Sequence, residues 1–207
     1  IDDLKISFSR QKRLEKLNNK NFIKKLITNH ENRTVEFKST FFTDVYTKEP
    51  NIEREHDAIK SIAGFLNTYG GYLLIGVTDS QEVIGINNDR FLKNKDKYIR
   101  DVEAVITKTL GDLASRFIDI RPFEFTKDEN FEIGDKNFLI KKNTMICTIA
   151  VESSDIPIYC KHREYNTKRK SKNPLPTEHT FFYVRKNNET IHFELELANK
   201  YIVQHFS

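Results

Sequence analysis

Apolar positions between residues 7 and 29 fall into two helical stripes, Leu14 and Leu17 in one and Phe22, Ile23, Leu26 and Ile27 in the other. The spacing predicts one or two helices, with Asn21 available as a cap between them. The period then changes from about four to two. Thr34-Val-Glu-Phe-Lys-Ser39 alternates as a strand does, with Val35 and Phe37 on one face and Thr34, Glu36 and Lys38 on the other. Residues 44–51 hold Pro50 and few apolar anchors and read as a loop. From Ile52 to Asn67 the apolar residues Ile52, Ile59, Ile62, Ala63 and Leu66 return to helical spacing, and Tyr69-Gly70-Gly71 stops the helix.

Tyr72 to Val77 is an unbroken apolar run of strand length, followed by a tight turn at Asp79-Ser-Gln-Glu82 and a return strand Val83 to Ile86, which together predict a hairpin. A helix is expected from Lys97 to Phe117, with Ile99, Val102, Val105, Ile106, Leu110 and Leu113 on one face. Strands are expected at 118–125, 138–141, 145–151, 158–161 and 181–185, a mobile loop at 162–178, and a closing helix from Glu194 to Phe206. Helices and strands are interspersed and include a hairpin, so the fold class is α+β, a mixed β-sheet with flanking helices. The division expected is a helical amino-terminal extension, 1–24, and one domain, 25–207.

Composition narrows the class. The chain has 207 residues, 38% hydrophobic and 31% charged, values of a water-soluble globular protein with a substantial core. No apolar run approaches the roughly 18–20 residues that cross a bilayer, and Ile1-Asp-Asp-Leu-Lys5 has none of the zones of a secretion signal. Its start without Met suggests a piece of something longer. Two cysteines are too few for a disulfide framework, so the expected compartment is the reducing cytoplasm.

Net charge is +4, and its distribution matters more than its sum. Residues 10–25 carry Arg13 and Lys16 in a basic cluster, and residues 161–172 carry Lys161, Arg163, Lys168, Arg169, Lys170 and Lys172 in another. Such clusters neutralise phosphates without reading sequence. The alternative is a solvated helix face and a solvated loop.

Candidate chemistry lies in two segments. In Glu31-Asn-Arg-Thr-Val-Glu36-Phe-Lys38 two carboxylates flank a strand that also carries a lysine. Asp79, from the turn, would add a third. Hard divalent cations take oxygen ligands at about 2.0–2.6 Å, so Mg²⁺ or Mn²⁺ would suit this set and phosphodiester chemistry. Lys38 would balance the carboxylates or meet a phosphate. The competing reading places Glu36 and Lys38 on the solvent face of an amphipathic strand. In Asn67-Thr-Tyr-Gly-Gly-Tyr-Leu-Leu-Ile-Gly-Val-Thr-Asp79 the glycine pair either caps a helix or lets a ligand approach the backbone.

These segments together resemble the Schlafen family, in its AlbA-like nucleic-acid-binding domain. The resemblance lies in Glu31-x4-Glu36-Phe-Lys, the run Ile62 to Asp79, Val83-Ile-Gly-Ile86, and Phe182-Tyr-Val-Arg-Lys-Asn-Asn-Glu-Thr190. It implies the AlbA-like fold over about 25–207. Nuclease-active Schlafens use three acidic residues, which correspond to Glu31, Glu36 and Asp79, and cut structured RNA, tRNA among them, with a divalent metal. The turn here reads Val-Thr-Asp where vertebrate relatives usually have two consecutive acids, and the loop after Lys38 is longer.

Other chemistries lack their residues. Cys147, Cys160 and His162 have neither the spacing nor the fourth ligand of a zinc site. Neither a P-loop nor a Gly-x-Ser-x-Gly elbow is present. His30 and His56 read as surface histidines. Two functions follow. In the first the chain is a metal-dependent endonuclease, RNA favoured over DNA, of the kind a defence system deploys, with Arg185 a weaker phosphate contact. In the second it is a non-catalytic nucleic-acid- or nucleotide-binding module of a regulator. The sequence leaves room for a homodimer.

Overall fold

The computed structural model describes residues 2–87, 89, 94–164 and 177–206. The amino-terminal stripes form two helices, α1 (Asp2–Leu17) and α2 (Lys20–Thr28), capped between them by Asn19 rather than Asn21. Asn19 Oδ1 accepts from the amides of Asn21 and Phe22, satisfying two donors that a helix start leaves free.

A four-stranded sheet in the order β1-β2-β6-β3 is the frame. Its strands are β1 (Val35–Lys38), β2 (Gly71–Ile75), β3 (Ile118–Glu124) and β6 (Met145–Val151), with β1 and β2 parallel and the rest antiparallel. The β1–β2 crossover is α3 (Ile52–Leu66), started by the side chain of Asn51. The expected α+β mixed sheet with flanking helices is therefore present. The alternation read in 34–39 sorts two cores. Val35 and Phe37 face α2 and a hairpin of β4 (Glu129–Ile133) and β5 (Lys136–Ile140), while Leu73, Ile75 and Ile149 face α3 and α4 (Lys95–Leu110).

The other face of α3 is covered by a second sheet, β7-β8-β9 (Cys160–Glu164, Thr177–Lys186, Glu189–Phe193). Approach is close: a Cβ on Gly64 would lie 2.8 Å from Thr190 Cγ2. A last helix, α5 (Leu195–His205), packs on the far side of β8 and β9 through Ala198 and Tyr201.

Several expectations need correcting. Residues 83–86 do not form a return strand. Val77 and Val83 make one isolated bridge, after which Gly85 turns at φ +74° and Ile86 N donates to Met145 O instead. The helix expected to reach Phe117 stops at Gly111, whose φ of +87° only glycine adopts easily, and 112–117 continue as a 3₁₀ turn that leaves Leu113 53% exposed. Strands β4 and β9 were not foreseen. Of the loop expected at 162–178, residues 162–164 belong to β7 and 177–178 to β8, and 165–176 lie outside the described residues.

Candidate nucleic-acid site

Glu31 is laid alongside β1 because the chain folds back on itself just before that strand. His30 takes φ +57°, Asn32 N donates to Val35 O, and Asn32 Oδ1 accepts from Thr34 N at 2.9 Å. This turn lays Glu31 beside the far half of β1, where its Oε1 accepts from Phe37 N at 2.8 Å. Its carboxyl is held above the ordinary glutamate range, first by burial; the Phe37 amide and Lys38 pull it down, and the charges of Glu36 and Asp79 push it up.

Glu36 does not face solvent. It is only 8% exposed, on the α3 side of the sheet. Its Oε1 lies 2.6 Å from Lys38 Nζ and 3.5 Å from Ser61 Oγ of α3. Its Oε2 lies 2.7 Å from Arg185 Nη2, a charge contact without hydrogen-bond alignment, so this buried oxygen has acceptor capacity to spare. Arg185 is itself locked in place. Nη2 donates to Asn32 O at 2.8 Å, Nη1 to Thr190 Oγ1 at 3.2 Å, and the guanidinium lies 5.1 Å from the Phe65 ring centre. Asp79 sits exposed on the turn after β2. That turn is closed by Gln81 N donating to Thr78 O and is tied to α2 by Gln81 Nε2 on Ile27 O at 2.5 Å.

A cleft of about 430 Å³ opens beside Glu36, lined also by Lys38, Asp57, Lys60, Ser61, Glu189 and Thr190, while Glu31 and Asp79 lie outside its lining. Among the described residues, no three His, Cys, Asp or Glu side chains are grouped tightly enough to hold a metal ion. The oxygen-rich donors and the spare Glu36 oxygen suit a hard cation of the kind that takes one or two carboxylates and completes its shell with water and substrate phosphate.

The chain matches the family described as Schlafen, AlbA_2 over residues 31–194, more than half its length. It belongs to the Schlafen AlbA_2 family. The family is one of nucleic-acid-binding domains, some members of which are nucleases. No curated protein matches the chain. No helix among the described residues is long and apolar enough to cross a membrane.

The Schlafen match begins at Glu31, so α1 and α2 lie outside it, yet both are fastened to the domain. Arg10 Nε and Arg13 Nε each reach Asp119 of β3, at 2.8 and 2.6 Å, and Arg13 also pairs with Glu152. Arg13, expected to meet phosphate, is thus 9% exposed and committed to carboxylates. Lys16 is exposed on the same helix. Of the second basic cluster, Lys161 is exposed with its Nζ 3.9 Å from Glu178 Oε1, and Arg163 belongs to β7. Lys168, Arg169, Lys170 and Lys172 lie outside the described residues.

The remaining candidates find structural places. Both cysteines are buried, which pushes the Cys147 thiol up and that of Cys160 to about 12. His56 is half-buried on α3. Its ring centre is 4.0 Å from that of His162, and burial, then His162, lowers its pKa. A Cβ on Gly71 would lie 2.6 Å from the Phe65 ring and 2.8 Å from Thr34 O, which gives the glycine pair a packing role. Ser61, Lys60 and Thr190 were missed. Ser61 follows the apolar stripe of α3 by one position, a signal readable only once that helix is known to face Glu36.

Proposed function

We propose that this Schlafen domain binds RNA in preference to DNA and cuts it as a Mg²⁺- or Mn²⁺-dependent endoribonuclease at Glu31, Glu36 and Asp79. The observation that carries this reading is the placement of Glu31 against β1, its Oε1 accepting from Phe37 N, where burial first, and then the charges of Glu36 and Asp79, push its carboxyl up. Repelling carboxylates of this kind are eased by a cation. Glu31 and Glu36 would hold the ion, with Asp79 reaching in from its turn; when bound, it would supply polarisation of the phosphate and a more acidic water.

The chain's own residues do the rest. Lys38 carries a mobile positive charge at the mouth of the cleft, where it can move from Glu36 to a phosphate oxygen. Arg185, fixed from four sides, holds Glu36 in place and is a positioning residue rather than a phosphate contact. Lys60 lines the same cleft and offers a second backbone contact. Structured RNA such as tRNA is the substrate class that the family resemblance suggests.

A second reading has its own support. Glu36 is already charge-balanced by Lys38 and Arg185, as it would be in a domain that binds nucleic acid without cutting it. Cleavage of labelled tRNA with Mn²⁺ and with EDTA separates the two. Asp79→Asn is the cleanest variant, since an exposed turn residue tolerates substitution within about 0.5 kcal/mol. The expected result is at least about a hundredfold loss of cleavage with the Tm unchanged. Equal cleavage by mutant and parent removes Asp79 from the cutting site, and none by the parent with any divalent ion removes the nuclease reading and leaves the binding one.

A further inference from the structure

The turn that presents Glu31 to the acidic site presents Arg33 to another part of the surface. The Arg33 guanidinium carbon lies 4.9 Å from the ring centre of Tyr69, and that ring remains 66% exposed. Tyr69 lines an open groove of about 650 Å³ together with Lys12 and Lys16 of α1, Thr34, Gly71 and Ser153. The groove thus runs past the amino-terminal ends of β1 and β2. Thr34, which lines it, is two residues from Glu36, which lines the cleft, a separation of about 7 Å along extended chain.

Charge in the groove is net positive. Its acid, Glu152, is paired with Arg13, leaving Lys16 exposed in the groove and Arg33 exposed against the Tyr69 ring. An exposed aromatic ring among exposed cations is the combination by which single strands are held without regard to sequence: a base stacks on the ring and the flanking phosphates meet the cations. Duplex gives no such access, because its bases are stacked on one another.

We propose that this groove holds an unpaired nucleotide stretch of the nucleic acid, with one base stacked on Tyr69 and its neighbouring phosphates on Lys16 and Arg33. It rests on the nucleic-acid-binding reading above and adds to it the strand type and the residues that grip it. Tyr69 is solvent-exposed, so its removal leaves the core intact.

The test is fluorescence anisotropy with labelled oligouridine and with duplex RNA of equal length, at about 50 and about 200 mM salt. Tyr69→Ala should weaken oligouridine binding about tenfold while changing its salt dependence little, and Tyr69→Phe should restore it. The Lys16→Gln/Arg33→Gln double variant should lower the log–log salt slope by about 1.4, the contribution of two phosphate contacts on a single strand. Photocrosslinking with 5-iodouridine should mark Tyr69. Parent-like oligouridine binding by Tyr69→Ala, or equal weakening on duplex and single strand, overturns the groove while leaving nucleic-acid binding standing. Failure of the parent protein to bind either RNA overturns both.

Discussion

At the scale of single residues, the site turns on how much charge is buried around Glu36. Glu36, 8% exposed, and Arg185, 3% exposed, form a pair in which each partner makes the other tolerable. Arg185→Met should therefore destabilise the domain by about 3 kcal/mol in urea unfolding, and adding Glu36→Gln should recover part of that loss. A loss under about 1 kcal/mol would mean that Glu36 relaxes towards water when its partner goes. Glu31 carries the opposite expectation. Its folded-state pKa is raised, so the fold binds that proton more tightly than the unfolded chain does. The group's contribution to stability falls as pH rises from the ordinary glutamate value through the raised one, and stays low at neutral pH. Glu31→Gln keeps the acceptor for Phe37 N and should raise the neutral-pH Tm in metal-free buffer by up to about 2–4 °C, with the gain vanishing in acid. A lower Tm at pH 7 would show that the ionised form is the one the fold favours. The sequence made Glu31, Glu36 and Lys38 visible through their spacing. It could not show that Glu36 is buried, because the residue that buries its charge is about 150 positions away.

At the scale of elements, the site depends on α3 fitting between two sheets. Alternation and helical spacing made β1, α3 and β2 legible, since each has one strongly apolar face. What escaped was set by backbone geometry at single glycines. Gly85 ends the expected hairpin after one bridge and Gly111 breaks a helix whose apolar stripe runs on to Leu113. A stripe records which side is apolar and says nothing of a positive φ beneath it. Strand β9 was missed for another reason: its alternation, Thr190-Ile191-His192-Phe193, is short and carries only two apolar positions, both half-buried. Its contact with α3 fixes the cleft, because Thr190 meets both Gly64 and Arg185. Gly64→Ala should improve helix propensity by up to about 1 kcal/mol yet destabilise the domain by about 1–3 kcal/mol through overpacking. Thr190→Ser removes the offending methyl and should relieve most of that loss. A neutral or stabilising Gly64→Ala would mean that β9 yields readily and the cleft is soft.

For the whole molecule, the open question of organisation is whether α1 is an appendage or part of the binding body. The family match starts at Glu31, and the composition of residues 10–25 suggested only a basic helix that could serve phosphate anywhere along its face. The fold divides that helix by function. Arg10 and Arg13 spend their charge on Asp119, a carboxylate on β3 that would otherwise be buried alone, while Lys16 stays at the surface beside the Tyr69 groove. Sequence could not make this division, because Asp119 lies more than 100 residues beyond both arginines. If the clamp is what places Lys16, then Asp119→Asn should loosen α1 without emptying the acidic site. Hydrogen exchange in residues 10–17 should accelerate about tenfold or more, while amides of β1 and β2 keep their protection. RNA affinity should fall with a shallower salt dependence, as expected when a phosphate contact is lost instead of a stacked base. Protection of α1 equal to that of the parent would show that Leu17 and its apolar neighbours hold the helix unaided, and that the two arginines merely neutralise Asp119 where it stands.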